Sequence, residues 1–280
     1  MVLRITIASL LFILFSGNIW AQQQQCPFDS TDENLLARCL IRPVSRGGNV
    51  GQTPAVLPNI LKDLIGKPMT VDLVKLRKYL TDNGIKESDI GGTINQDTTK
   101  VRFFVIHDTS YPEIKEASFP ADMNGATWKS NKLSNWVSSD TPVHMFVNRV
   151  GESATKTDFN LVARGTKYEY GRDIANAAQR LQAREKRGGL FVHIELIQPR
   201  RKSNPRTFFD LAPTPGFTEK QIDRLALLYI AASYRSKRWL LPAFHASVDA
   251  TIADAHDDPQ NFDMSSWLNS VNTLLGKVKQ

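Results

Sequence analysis

Apolar residues in this chain fall into runs of three kinds, and each kind predicts a different element. The first is at the N-terminus. Arg4 supplies a positive start, Ile5 to Phe15 is nearly all apolar, and Ser16-Gly17-Asn18 breaks the run before Ile19-Trp20-Ala21 and a polar stretch of glutamines. A positive start, an apolar run of about 10 residues and a small residue at the cut form the pattern of a secretory signal peptide. A spanning helix needs roughly 20 apolar residues, so this stretch is too short to leave the mature chain anchored in a membrane. Cleavage is expected after Ala21, with the mature protein periplasmic or secreted.

The second kind has helical spacing. Residues 71–83 carry apolar side chains at 71, 73, 74, 76 and 80, with Thr70 placed as an N-cap and Gly84 suited to the left-handed position after the helix. Residues 219–235 put Ile222, Leu225, Leu228, Tyr229 and Ala232 on one face behind an N-cap at Thr218. Residues 32–40, 174–185 and 265–275 predict three further helices. The third kind is short and strongly apolar: residues 101–106 (VRFFVI), 142–149 (PVHMFVNR) and 190–196 (LFVHIEL) predict strands of the buried sort. Residues 160–163 and 167–170 predict short strands between them. Strands interleaved with helices imply an α/β domain. The division expected is a signal peptide over 1–21, a partly helical N-terminal extension over 22–95, and a domain over 96–280 built on a central sheet flanked by helices.

Charge and cysteine usage narrow the setting. The formal net charge is +7, and the signal segment contributes only Arg4 to it. A basic excess suits nucleic acid, a membrane surface or an acidic polymer, and export removes nucleic acid from that set. The two cysteines, Cys26 and Cys39, both lie in the extension. In an oxidising compartment they are expected to pair, closing a loop of about 14 residues worth roughly 3 kcal/mol in loop entropy.

The five histidines are His107, His144, His193, His245 and His256. His107 follows directly on the strand VRFFVI, and a strand end is a stiff place from which to project a metal ligand. His245 lies just beyond the long helix, with Asp258 thirteen residues later. Two imidazoles and a carboxylate make a common catalytic zinc set that leaves a fourth position open. There is no HExxH signature, and Asp254, His256 and Asp257 compete with Asp258 for the third place.

The ordered series resembles the type 2 N-acetylmuramoyl-L-alanine amidase family, which includes the peptidoglycan recognition proteins. Five short stretches carry the resemblance: Phe104-Val105-Ile106-His107-Asp108-Thr109, then His144-Met145-Phe146-Val147-Asn148-Arg149 with Gly151, then Val192-His193-Ile194-Glu195-Leu196, then His245-Ala246-Ser247-Val248-Asp249, and last Asp258-Pro259-Gln260-Asn261-Phe262. Together they cover roughly residues 100–267. The resemblance implies a mixed central β-sheet flanked by helices, and a zinc ion held by His107, His245 and Asp258. It further implies Glu195 as the acid–base residue, with His256 standing where relatives carry an oxyanion-steadying Lys. His144 takes the place of a family histidine near substrate, and Arg164 follows in a loop that can meet peptide carboxylates. The chain departs from the pattern in two places: the stretch from His245 to the carboxylate is about three residues longer, and Gln260 replaces the glycine after Asp-Pro. The activity implied is hydrolysis of the amide between N-acetylmuramic acid and L-alanine in peptidoglycan or its fragments, by a monomer. The alternative is a non-catalytic muropeptide-binding protein of the same fold.

Overall fold

The computed structural model describes residues 24–279, apart from positions 46, 96, 99, 205 and 206. The signal peptide expected over residues 1–21 lies outside the described residues. Among those described, no helix is long and apolar enough to cross a membrane.

A five-stranded mixed sheet stands at the centre, built from β1 (Phe103–Asp108), β3 (Met145–Val147), β4 (Ser153–Thr155), β5 (Phe191–Leu196) and β8 (Leu241–Phe244), in the order β4-β3-β5-β1-β8. Strands β3, β5, β1 and β8 are parallel, and β4 runs antiparallel to β3. A second sheet joins β2 (Glu113–Ile114), β6 (Arg200–Asn204) and β7 (Thr207–Leu211). The expected central sheet flanked by helices is therefore present.

Pleating sorts the central strands into two faces. One carries Phe104 and Ile106 of β1 with Val192 and Ile194 of β5, and it is covered by α6 (Glu219–Arg235), itself packed on α8 (Met264–Val278). Tyr229 of α6 meets Phe104 edge-on with ring centroids 5.4 Å apart. The N-terminus of α6 is the expected one: Thr218 accepts from the Gln221 amide while Gln221 reaches back to the Thr218 amide. The other face carries Phe103, Val105 and His107 of β1 in register with Phe191, His193 and Glu195 of β5. The N-terminal extension covers this second face. Phe28 lies edge-on to Phe103 at 5.5 Å and stacks on Tyr168 at 4.1 Å.

The extension holds α1 (Glu33–Leu40), α2 (Asn59–Leu64) and α3 (Leu73–Asp82). Cys26 and Cys39 form the expected disulfide. Helix α1 packs on β8 and on the short α7 (His245–Val248). Arg42 Nη2 donates to the Ser247 carbonyl at 3.3 Å, and Gln25 Nε2 donates to the Val248 carbonyl at 2.8 Å. The Asn261 amide donates back to the Val44 carbonyl at 2.9 Å. One buried apolar cluster runs from Phe28 and Leu36 of the extension to Phe103 and Phe191 of the sheet.

Three local expectations need correction. The N-cap of α3 is Asp72, whose carboxylate accepts from the Lys75 amide at 3.0 Å, so the helix starts two residues later than a Thr70 cap would set it. Beyond the short α4 (Leu133–Val137), helix α5 (Ala177–Arg187) begins after an Asn176 cap, three residues later than expected. Neither residues 160–163 nor residues 167–170 form a strand, and 167–170 is a turn. The amides of Lys167 and Tyr168 go to the two carboxylate oxygens of Asp249, each at 2.9 Å, which leaves them no ladder to join.

Replacing Cys26 and Cys39 together by alanine is expected to lower the unfolding free energy by about 2–4 kcal/mol, the usual cost for a loop of this length. Denaturant unfolding of the oxidised wild type against the variant measures it. A loss below about 0.5 kcal/mol would mean that the packing of α1 alone fixes the extension.

Candidate metal centre

The site lies at the carboxyl ends of the parallel strands, where open α/β sheets present their ligands. His107 is the fifth residue of β1 and pairs in register with Glu195 of β5, so both side chains leave the sheet on the same face. His245 follows β8 directly and opens α7. Asp258 comes from the segment after α7, and its carbonyl accepts from the Ala246 amide at 2.9 Å, which ties that segment to the turn carrying His245.

His107, His245 and Asp258 converge, with one ligand atom from each lying within 4.8 Å of the others. The two Nδ1 atoms face each other at 2.9 Å. His245 Nδ1 is 3.0 Å from Asp258 Oδ1, and His107 Nδ1 is 3.5 Å from Asp258 Oδ2. Glu195 Oε1 stands 4.0 Å from His107 Nδ1. All four residues are buried, Glu195 least so at 8% exposure.

The outer nitrogens decide what the inner ones offer. His245 Nε2 lies 3.1 Å from Asp249 Oδ2, and that carboxylate is fixed by the Lys167 and Tyr168 amides. A proton on Nε2 directed at Asp249 leaves a neutral His245 with a lone pair on Nδ1. His107 Nε2 is likewise engaged, 3.0 Å from His193 Nδ1. Two imidazole lone pairs and a carboxylate then face one another in a dry site, which is unfavourable unless a cation lies between them. Glu195 Oε2 is buried without a hydrogen-bond partner among the described residues, and Asp258 Oδ1 faces His245 Nδ1 at 3.0 Å, as donors to a cation would be. A nitrogen–nitrogen–oxygen set of this kind could hold a divalent metal ion.

Without a metal, a proton fills that role. Burial opposes charge on His245, but Asp258 and Asp249 outweigh it and push its pKa up to about 10. Burial and the neighbouring His245 hold His107 down to about 3. Asp258 is itself buried, yet His245 and His107 keep it well below the usual carboxylate range. Glu195 moves the other way: burial, then Asp258 and Asp108, push it well above that range.

A second set of contacts holds the third ligand. The Asp108 amide donates to Asp258 Oδ2 at 3.2 Å. Asp108 Oδ2 in turn accepts from Arg200 at 2.6 Å and from the Gln260 amide at 3.0 Å. Gln260, the residue in place of the expected glycine, is fully buried, and its side-chain oxygen accepts from the amides of Gly47 and Ala212. It therefore ties the Asp258 segment to the N-terminal extension, a contact that glycine could not make.

The other sequence candidates separate clearly. Among the competitors for third ligand, Asp257 Oδ2 accepts from Gln260 Nε2 at 2.7 Å, and Asp254 is an exposed residue at φ 56°. His256 has a side chain 60% exposed, its ring centroid 4.6 Å from that of His245 and its Nδ1 3.7 Å from Asp258 Oδ1. It sits at the edge of the centre, where burial and then His245 lower its pKa. His144 does not face the site. It is fully buried, its Nδ1 accepts from the His193 amide at 3.0 Å, and its Nε2 meets the Leu161 carbonyl at 3.2 Å, so both ring nitrogens are taken by backbone. Arg164 is also elsewhere. A Cβ built on Gly188 would meet its Nη2 at 2.6 Å, which places the guanidinium ahead of β5, at the end of the strand away from Glu195. Sequence reasoning missed Glu169, Asp249 as a partner of His245, and the Arg200–Asp108 pair. Only Asp249 carried a signal, lying four residues after a ligand on one helical turn.

No protein-family model, curated protein or solved structure matches this chain.

Uptake of a divalent ion must displace the proton that His245 holds up to about pH 10. Affinity is expected to rise about tenfold per pH unit from about pH 7 to about pH 9. Competition titrations against a chelator, corrected for the chelator's own protonation, check this. An affinity flat across that range would remove the proton from His245.

Proposed function

We propose that this protein is an exported zinc hydrolase that cuts the amide bond between N-acetylmuramic acid and L-alanine in peptidoglycan or its fragments, as a member of the type 2 amidase family. The observation that carries the proposal is the convergence of His107 Nδ1, His245 Nδ1 and the Asp258 carboxylate beside Glu195, whose Oε2 is buried with no hydrogen-bond partner among the described residues. The five ordered sequence stretches supply the substrate, and the disulfide supports an oxidising compartment.

Zinc in a site of two histidines and one carboxylate lowers the pKa of water toward ~7 and polarises a carbonyl oxygen. His107, His245 and Asp258 would hold it, and each arrives already oriented by an outer partner. Glu195 lies opposite His107 on the neighbouring strand, near enough to remove a proton from the water that attacks the lactyl carbonyl carbon. As the carbon–nitrogen bond breaks, the same carboxyl returns that proton to the alanine nitrogen. A carboxyl pushed upward by burial is better matched to both transfers near neutral pH than an exposed one. His256, at the rim, would face charge developing on the carbonyl oxygen, the role that the resemblance implies for it.

The purified mature chain is expected to hold about one zinc per molecule and to release stem peptides from sacculi. Glu195→Ala should reduce release by at least 10²–10⁴-fold while keeping its metal, and His107→Ala should lose the metal. Elemental analysis alongside chromatography of the released peptides reads both. A correctly folded wild type with metal content near zero would sink the enzymatic reading.

A further inference from the structure

Glu169 is fully buried, is not a ligand, and is not used by the chemistry above. Its Oε2 lies 2.8 Å from His193 Nε2, and His193 Nδ1 lies 3.0 Å from His107 Nε2. Three side chains thus form a continuous buried run from the interior to the outer nitrogen, Nε2, of His107. The run is closely packed. A Cβ on Gly165 would meet the His193 ring at 2.8 Å, and His144 stacks on that ring with centroids 5.7 Å apart.

Hydrogen-bond polarity gives the run two states. With Glu169 ionised, His193 donates from Nε2, accepts at Nδ1 from His107 Nε2, and leaves the His107 Nδ1 lone pair facing Asp258. With Glu169 protonated every bond reverses, and His107 Nδ1 carries a hydrogen where a ligand atom is needed. The surroundings favour the ionised form at short range, since Oε2 also receives the amides of Gly165 and Thr166 and the Thr166 hydroxyl at 3.1–3.2 Å. Burial acts against it and pushes Glu169 up to about 8, so at pH 7 the two states lie within about tenfold of each other. The Gly165 amide also lies 3.2 Å from His193 Nε2, but it is nearer to Glu169 Oε2 and serves that acceptor when His193 donates.

Resting on the metal-centre reading, we propose that Glu169, acting through His193, is the positioning residue that fixes the tautomer of His107 and thereby sets the metal affinity of the site. His245 receives the same service directly from Asp249. The two ligands are thus oriented alike, one by an adjacent carboxylate and one by a carboxylate relayed through a second imidazole. Partners of metal-bound histidines commonly contribute 10–100-fold in affinity.

The test measures zinc affinity of the full mature chain by chelator competition, for wild type and Glu169→Gln, with proton release recorded in two buffers. Glu169→Gln is isosteric and removes the negative charge that favours a proton on His193 Nε2, leaving a weaker acceptor there. A loss of about 10–100-fold with unchanged circular dichroism, together with altered proton release, supports the assignment. Equal affinity and equal proton release in the two proteins would overturn it. Should the variant not fold, nitrogen-15 spectra of the histidine rings in zinc-loaded wild type decide the matter. Protonation of His193 at Nε2 supports the relay, and protonation at Nδ1 overturns it. Wild type that takes up no zinc overturns the metal-centre reading and this inference with it, whereas zinc-binding wild type with an unaffected variant overturns this inference alone.

Discussion

Two imidazole nitrogens 2.9 Å apart, with a carboxylate at 3.0 Å from one and 3.5 Å from the other, are the constraint around which this structure is arranged. Three acceptors at such distances repel unless a positive charge lies among them, and in a buried site there is little water to screen the repulsion. The fold spends its stiffest parts on holding them there. His107 ends a central strand paired on both sides, His245 begins a helix at the end of the neighbouring strand, and Asp258 is gripped by backbone from both. A loop could not hold such a set against its own repulsion, because its opening free energy would be small.

The extension belongs to the same arrangement. Its contacts fall on Ser247 and Val248, just after His245, and on Gln260 and Asn261, just after Asp258. These two segments carry two of the three ligands and lack the support of a central strand. Cross-linking Cys26 to Cys39 limits the freedom of the piece that braces them. The disulfide therefore acts on the site through packing, at a distance from any chemistry.

Much of this was legible in the sequence where one physical rule dominated. Thr218 and Gln221 specify the start of α6 unaided, and the apolar runs at β1 and β5 specify buried strands. The pairing of Cys26 with Cys39 followed from compartment alone. Strand β8 was not legible, because Pro242 interrupts its pattern; as an edge strand, paired among the described residues with β1 alone, it tolerates a residue without an amide hydrogen. Residues 167–170 carry strand-like composition, yet the Asp249 carboxylate takes their amides. That contact spans about eighty positions and leaves no local trace. The same limit applies within the site. Spacing could not choose between Asp254, Asp257 and Asp258, since the choice rests on which carboxyl the Asp108 amide meets.

Charge balance carries the argument one step further. Asp108, Glu169, Glu195, Asp249 and Asp258 are all buried around the centre, and among the described residues Arg200 is the buried cation ion-paired within this group, bound to Asp108. Burying this many acids against so few positive charges is costly, and the groups respond as expected: Glu195 and Glu169 rise, Asp108 rises to about 6, and His245 keeps a proton to about 10. A chain built only for stability would replace several of these acids with apolar residues, since buried ion pairs seldom outperform good packing. Gathering them at the carboxyl ends of the central strands is economical only if something with more than one positive charge sits among them. A divalent ion meets that requirement at a single point, and the position where the three ligand atoms converge is where its charge would be felt by the most carboxylates at once.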